Sequence, residues 1–291
     1  MIKDFAGVTS AVPSGISRGA LTTARGDVAV LRAQPPAAAR GTVLLLPGYS
    51  KDKHDFLALL PHLSAAGYGA VAVDLHGQDQ QAGPRDEAAY AQDALAADVV
   101  AQARALGARV HLLGHSLGGH IARAAVLRDD APFRSLTLLS SGPGHVGDER
   151  RAQIELLTAA LDDMSMEQLW DVMAKLRPSS ASVSPVEADE RRLRWLRTSP
   201  EHLRIAGAQL LREPDRTAEL AALATLPKHV LHGDLDDTWT ADLLTGMAER
   251  LGARHTVLRE TGHAPHVQQP IATAQALTAF WDMTDPRAVG E

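Results

Sequence analysis

Ser116 stands at the centre of Gly114-His115-Ser116-Leu117-Gly118, a G-x-S-x-G pattern between an apolar run and a helix-like stretch. A serine hydroxyl is a weak nucleophile at neutral pH, so the pattern does chemistry only if the chain also supplies a general base and a group that orients it. The glycines have a mechanical reading: a serine thrust out of a sharp strand-to-helix turn needs neighbours without Cβ atoms where the chain folds back. The helix that starts there would turn free N–H groups and its positive dipole end toward an oxyanion. The bland alternative is a plain glycine-rich turn. The base candidates are 13 histidines. His111 falls within a predicted strand, while His54, His62, His202 and His255 suit surface or element-end positions. Thr261-Gly262-His263-Ala264-Pro265 is different, a glycine-bearing loop between the last predicted strand and the last helix, which makes His263 the candidate base and His266 its local rival. For the orienting acid, His232-Gly233-Asp234-Leu235-Asp236-Asp237 carries three carboxylates within four positions.

The elements that must hold these residues can be read from the apolar periodicity. Thr42–Leu46 is a short, continuously apolar run ending at Pro47-Gly48, as expected of a strand covered on both faces. A helix is predicted over Asp55–Ala66, a strand over Gly69–Asp74, a helix over Glu87–Leu106, and a strand over Val110–Leu113. This alternation argues for a mostly parallel sheet with helices on both faces. Segments around Ala20–Thr22 and Val28–Leu31 suit an antiparallel edge. After the strand Leu136–Leu139 the alternation stops. Helix follows helix at Glu149–Leu161, Met166–Leu176, Val186–Leu196 and Glu201–Leu211, with Ser165 to Gln168 as a cap for the second and Ser199-Pro200-Glu201 as a start for the fourth. The strand–helix pattern resumes with His229–Leu231, Ala241–Arg250, Thr256–Leu258 and Ile271–Trp281. The expected organisation is a core over 1–143 and 214–291 interrupted by a helical lid over 144–213.

The chain resembles the α/β-hydrolase family, serine esterases and lipases with a helical cap, from about Arg18 to Trp281. The resemblance implies an eight-stranded, mostly parallel sheet and a triad in the order Ser116, Asp236, His263. The family's G-x-x-D spacing selects Asp236, three positions after Gly233, and leaves Asp234 and Asp237 as turn residues. Leu46-Pro47-Gly48-Tyr49-Ser50 stands where the family has its first oxyanion turn, so the backbone N–H groups of Tyr49 and Leu117 are the implied donors. Pro47-Gly48 replaces the family's usual His-Gly, which alters the lining but not a main-chain donor. The implied reaction is cleavage of a carboxylic ester through an acyl-enzyme. Other reactions on the same scaffold remain open, namely a lyase, a carbon–carbon bond hydrolase or an acyltransferase, as does a small-molecule binder that keeps the triad with little turnover. Serine at the elbow disfavours relatives that use aspartate there, the haloalkane dehalogenases and epoxide hydrolases.

The lid segment carries Leu156, Leu157, Met164, Met166, Leu169, Trp170, Met173, Leu176 and Trp195, so an apolar acyl or alcohol group is the expected guest, although these residues also serve to pack the lid helices. Arg191, Arg192 and Arg194 leave a charged substrate open. Aromatics are only 4% of the chain, and placing Trp170, Trp195 and Trp239 in segments near the pocket predicts a partly aromatic site; His115, beside Ser116, joins them as a substrate-binding candidate. His76, after the Gly69–Asp74 strand, is a pocket candidate but reads more simply as a loop residue. His115 and His120 do not share a helix face, so no metal site is expected, and the absence of G-x-G-x-x-G and Walker patterns indicates no nucleotide cofactor. A net charge of −6 argues against a nucleic-acid or anionic-membrane surface. The lack of cysteine excludes disulfides and thiolate chemistry. Neither the start, Met1–Phe5 and the polar stretch after it, nor any later run reads as a signal peptide or membrane span, so a soluble cytoplasmic protein, monomer or homodimer, acting on a small molecule is expected.

Overall fold

The computed structural model describes residues 12–83, 86–176 and 184–284; the Met1–Phe5 start and the side chain of Leu176 lie outside what it describes. Its strands are β1 (Ile16–Thr23), β2 (Gly26–Ala33), β3 (Gly41–Leu46), β4 (Tyr68–Val73), β5 (Val110–His115), β6 (Phe133–Leu139), β7 (Lys228–Gly233) and β8 (Arg254–Leu258). They form one sheet in the order β1-β2-β4-β3-β5-β6-β7-β8. β2 runs antiparallel to β1 and β4, and every other pairing is parallel. The helices are α1 (Leu60–Ala65), α2 (Gln92–Ala105), α3 (Leu117–Arg128), α4 (Asp148–Asp163), α5 (Met166–Leu176), α6 (Pro185–Arg197), α7 (Pro200–Arg212), α8 (Thr217–Ala221), α9 (Ala241–Leu251), α10 (Pro265–Gln268) and α11 (Pro270–Asp282).

Alternation along the strands divides the interior. Leu44, Leu46 and Leu112 face a core shared with Val99 of α2 and Ile121 of α3. Val43, Leu45 and Leu113 face a second core with Leu63 of α1 and Leu277 and Trp281 of α11. Every residue of β4, β5 and β7 is buried, which the continuous apolar runs required, whereas edge strand β8 has no fully buried residue. Each buried leucine contributes about 1.5–3 kcal/mol, so the central strands are the best-anchored part of the chain.

Two predicted helices are each divided in two. Asp55–Ala66 becomes a 3-10 turn, Lys53–Phe56, capped by the Asp52 carboxylate, followed by α1, where Pro61 occupies the first turn that proline tolerates. Glu87–Leu106 becomes a 3-10 turn, Glu87–Tyr90, and α2, because Ala91 between them is extended. The Tyr90 carbonyl there accepts a hydrogen bond from Gln209 of α7, a tertiary constraint that periodicity does not contain.

α4 to α7, followed by the short α8, fill the stretch between β6 and β7. Ser165 and Gln168 form a reciprocal cap for α5: Ser165 Oγ accepts from the Gln168 N–H (3.3 Å) and Gln168 Oε1 from the Ser165 N–H (2.8 Å). Ser199 caps α7, with Pro200 just inside. The insertion sits over the C-terminal ends of β3 and β4. Tyr49 Oη donates to the Leu203 carbonyl (2.9 Å), the Ser199 N–H to the Gly77 carbonyl (2.8 Å), and Arg194 and Arg197 pair with Asp52 (3.3 Å) and Asp79 (2.5 Å). Buried Arg123 of α3 holds both ends of the inserted stretch, donating to the Pro143 carbonyl and to Glu213, each at 2.6 Å. Among the described residues no helix is long and apolar enough to cross a membrane.

Candidate active site

Ser116 lies between the end of β5 and the start of α3, with φ 53° and ψ −118°, a strained conformation for a residue with a side chain. Three hydrogen bonds hold it: its N–H donates to the Leu139 carbonyl (3.0 Å), and its carbonyl accepts from the Gly119 N–H (2.9 Å) and Ser141 Oγ (2.8 Å). The flanking glycines act at two different places. A Cβ on Gly114 would collide with the Gly118 carbonyl across the turn, whereas one on Gly118 would collide with the Leu46 and Pro47 carbonyls of the neighbouring loop. The second glycine therefore seats the loop after β3 against the elbow. In that loop a Cβ on Gly48 would lie 3.1 Å from His115 Nδ1 and 3.3 Å from Ser116 Cβ. Tyr49 follows directly, and Leu117 is the first residue of α3, where an N–H has no intrahelical acceptor.

The acid and the histidine meet across the loops after β7 and β8. Leu235 N–H donates to the Thr261 carbonyl (2.9 Å), and a Cβ on Gly233 would collide with that carbonyl, so glycine is needed where the loops touch. Of the three neighbouring carboxylates, Asp236 reaches His263, with Nδ1 3.0 and 3.1 Å from its two oxygens. Asp234 instead accepts from the Thr261 N–H (3.3 Å) and Asp237 from the Thr238 hydroxyl (3.4 Å). Burial pushes Asp236 up, but the hydrogen bond and charge of His263 and the Thr238 amide (2.9 Å) outweigh it and hold the carboxyl below its ordinary value. His263 is lowered, by burial first and by His115, against the opposing pull of Asp236. Its Nε2 is buried without a hydrogen-bond partner.

The remaining candidates fall at different depths. Trp239 is buried, its ring 6.1 Å from that of His263, and its indole N–H donates to the Gly144 and His145 carbonyls (3.2 and 3.1 Å). Trp195 is buried inside the insertion, donating to the Met166 carbonyl (2.8 Å) and so tying α6 to the start of α5. Trp170 is half-buried and packs against the same core. His115 lies behind His263, with Nε2 donating to the His263 carbonyl (2.9 Å). His266 is fully buried, with Nε2 2.9 Å from Asp55, and His76 stands 3.5 Å from Asp98. Sequence reasoning missed Gln78, whose Nε2 donates to the Gly48 carbonyl (3.2 Å) while Oε1 accepts from the Leu75 N–H (2.8 Å), pinning the turn that presents Tyr49. A glutamine in a glycine-bearing loop carries no sequence signal for this; only strand order brings the two loops together.

Among the described residues two groups bring metal-donor atoms within 4.8 Å of one another, Asp55 with His115 and His266, and Asp52 with His54 and Asp79. Both already have cationic or N–H neighbours: Lys51 stands 3.7 Å from Asp55, and Lys53 (2.9 Å) and Arg197 (2.5 Å) pair with Asp79.

The model of the alpha/beta hydrolase family matches residues 43–276, and the chain belongs to this family. Among curated relatives it is 30% identical over 237 residues to a pimeloyl-(acyl-carrier protein) methyl ester esterase of Aeromonas hydrophila subsp. hydrophila, covering 78% of this chain and 90% of the relative. It is 26% identical over 275 residues to Lipase 3 of Moraxella sp., covering 90% and 84%. The fold also matches that of a thermophilic esterase from Thermogutta terrifontis, with a TM-score of 0.73 at 21% identity over 92% of this chain and 99% of that one.

Proposed function

We propose that the chain hydrolyses carboxylic esters with Ser116 as nucleophile, His263 as general base and Asp236 as its orienting acid. The observation that carries this reading is the bond of His263 Nδ1 to both Asp236 oxygens, which leaves Nε2 as the nitrogen that takes a proton. As Ser116 Oγ attacks the ester carbonyl, its proton passes to Nε2, and the Tyr49 and Leu117 amides receive the developing oxyanion. Each such donor contributes about 3–4 kcal/mol to the transition state. The imidazolium then protonates the leaving alcohol. Water attacks the acyl-enzyme with His263 again as base, releasing the acid and restoring Ser116.

In this reading 144–213 is a cap that sets substrate choice. The preferred ester has an apolar acyl or alcohol group: Trp239 flanks His263, and Ile154, Thr158 and the Tyr49 hydroxyl converge around Gly207, where a Cβ would stand 3.0–3.1 Å from each. The names of the two curated relatives, a methyl ester esterase and a lipase, support acyl esters. The reading takes the enzyme to act on a small molecule in the cytoplasm, as monomer or homodimer, without a cofactor.

A fluorophosphonate probe combined with p-nitrophenyl esters of graded chain length tests it. Ser116 should be labelled, and Ser116→Ala should lose about 10⁴-fold or more in kcat with the fold intact. Absent labelling together with undiminished hydrolysis by Ser116→Ala overturns the mechanism.

A further inference from the structure

One buried amide takes no part in the acyl-transfer steps yet bonds the very peptide that carries a proposed oxyanion donor. Gln78 lies fully buried in the loop after β4. Its Oε1 accepts from the Leu75 N–H at 2.8 Å, which leaves the amide hydrogens, all on Nε2, facing the other way. That nitrogen donates to the Gly48 carbonyl at 3.2 Å.

The Gly48 carbonyl and the Tyr49 N–H belong to one planar group, and in a trans peptide the two point in opposite directions. Holding the carbonyl toward Gln78 therefore turns the N–H away from it. Among the described residues no protein group accepts from that N–H, although Tyr49 is buried. Orphaned buried N–H groups are rare, and this one follows Gly48, whose Cβ would stand 3.3 Å from Ser116 Cβ, so it marks a place for an incoming acceptor.

The turn does not hold this orientation unaided. The Lys51 N–H closes it on the Gly48 carbonyl at 3.3 Å, but Ser50 within it has φ 56°, in the left-handed region that a residue with a side chain adopts at a cost. Gln78 supplies the second restraint on that carbonyl, and it does so from an anchored loop. The Ser199 N–H of the insertion donates to the Gly77 carbonyl (2.8 Å), Lys53 pairs with Asp79 (2.9 Å), and His202 of α7 stands 3.5 Å from Gln78 Nε2.

We propose that Gln78 orients and polarises the Gly48–Tyr49 peptide, so that the Tyr49 N–H is aimed at the oxyanion before the substrate arrives. This role rests on the triad and oxyanion-loop reading proposed above; Gln78 is a positioning residue within it, acting through Tyr49. A hydrogen bond accepted by the carbonyl draws electron density along the amide and makes its N–H the stronger donor. The gain grows as charge develops on the ester's carbonyl oxygen, so Gln78 governs kcat rather than ground-state binding.

Kinetics of two variants on a p-nitrophenyl ester, with a trifluoromethyl ketone as inhibitor, test it. Ser116 Oγ adds to the ketone carbonyl and leaves an anionic oxygen where that of the ester would form. Gln78→Met, of similar length but without polar atoms able to bond both partners, should lower kcat by about 10- to 100-fold with KM changed by less than about 2-fold. Its inhibition constant for the ketone should rise by a similar factor. Gln78→Glu keeps an acceptor for the Leu75 N–H but sets a carboxylate oxygen against the Gly48 carbonyl, so it should lose at least as much, and it decides if Gln78→Met does not fold. In the wild type the Tyr49 amide proton and one Gln78 side-chain amide proton should both move downfield when the ketone binds, since each bond strengthens the next; this spectrum decides if neither variant folds. Folded variants with wild-type kcat and ketone affinity overturn the proposal, as does a loss confined to KM or to melting temperature, or an unmoved Gln78 proton. If the wild type leaves Ser116 unlabelled by the fluorophosphonate, the triad falls and this role with it; a labelled wild type with unaltered Gln78 variants removes only the role of Gln78.

Discussion

The elbow and the helical insertion meet over the ends of β3 and β4 and are held in different ways. Around Ser116 the decisive contacts are backbone on backbone: Gly114 against the Gly118 carbonyl, and Gly118 against the Leu46 and Pro47 carbonyls. β4 and β5 beneath are buried along their whole length. The insertion buries far less of itself. Among the described residues α4 buries only Ile154 and Leu161, α5 only Leu169 and α6 only Trp195, with α7 alone burying five, and Leu156, Val172, Val186 and Leu193 stand exposed. Apart from the Ser199 N–H to Gly77 carbonyl bond, it is fastened by side-chain links, Arg194 to Asp52, Arg197 to Asp79, Tyr49 to Leu203, and Arg123 to its two ends. Reacting atoms need sub-ångström placement, which rigid main-chain packing supplies. In the proposed function the insertion selects substrates, a task better served by contacts that can change without disturbing the reacting groups.

The most severe way to break this contrast is Gly118→Ala. Its Cβ has no room among carbonyls that cannot swing away, and the variant should lose about 3 kcal/mol or more by urea denaturation. A wild-type midpoint would show that the elbow is not locked by its backbone. A more moderate effect lies in the insertion. His202 of α7 is buried and, through burial, pulled down to about 4. The unfolded chain binds this proton near pH 6.5, so stability is complete above that value and falls as pH drops toward 4, by up to about 1.4 kcal/mol per pH unit. His229 of β7, lowered to about 3 by burial, acts in the same direction from within the sheet. Denaturation between pH 7.5 and 5 should give a shallower slope for both His202→Gln and His229→Gln than for the wild type, and an unchanged slope in either refutes its assignment. The smallest effect is expected at exposed Leu156, where Leu156→Ser should change stability by no more than about 0.5 kcal/mol. A clearly larger loss would mean that this face of α4 is covered in solution.

The regularities legible in the chain were those carried by near neighbours. Apolar runs marked the parallel strands, and two serines marked helix starts in the insertion, because a strand's pleat and a helix's first turn are satisfied within a few residues. The same locality explains what was not legible. Nothing near Ala91 announces that a glutamine from α7 will bond the adjacent carbonyl and end the predicted helix there. Three carboxylates in one strip differ little in sequence, so the choice of Asp236 rests on a resemblance there; in the fold the Thr261 N–H bonds Asp234 and the Thr238 hydroxyl Asp237, while Asp236 faces His263.

Sequence alone determined the glycine-flanked serine, the loop histidine and the interruption of the strand–helix pattern by four helices, since each is a local demand of sterics or periodicity. Tertiary structure alone decided that Gln78 pins the loop after β3, that Arg123 holds both ends of the insertion, and that Asp55, His115 and His263 lie behind one another. Those partners are separated by up to 148 positions. They meet because the order β4-β3-β5-β6-β7-β8 sets the ends of parallel strands side by side, a long-range pairing that no short stretch of chain encodes.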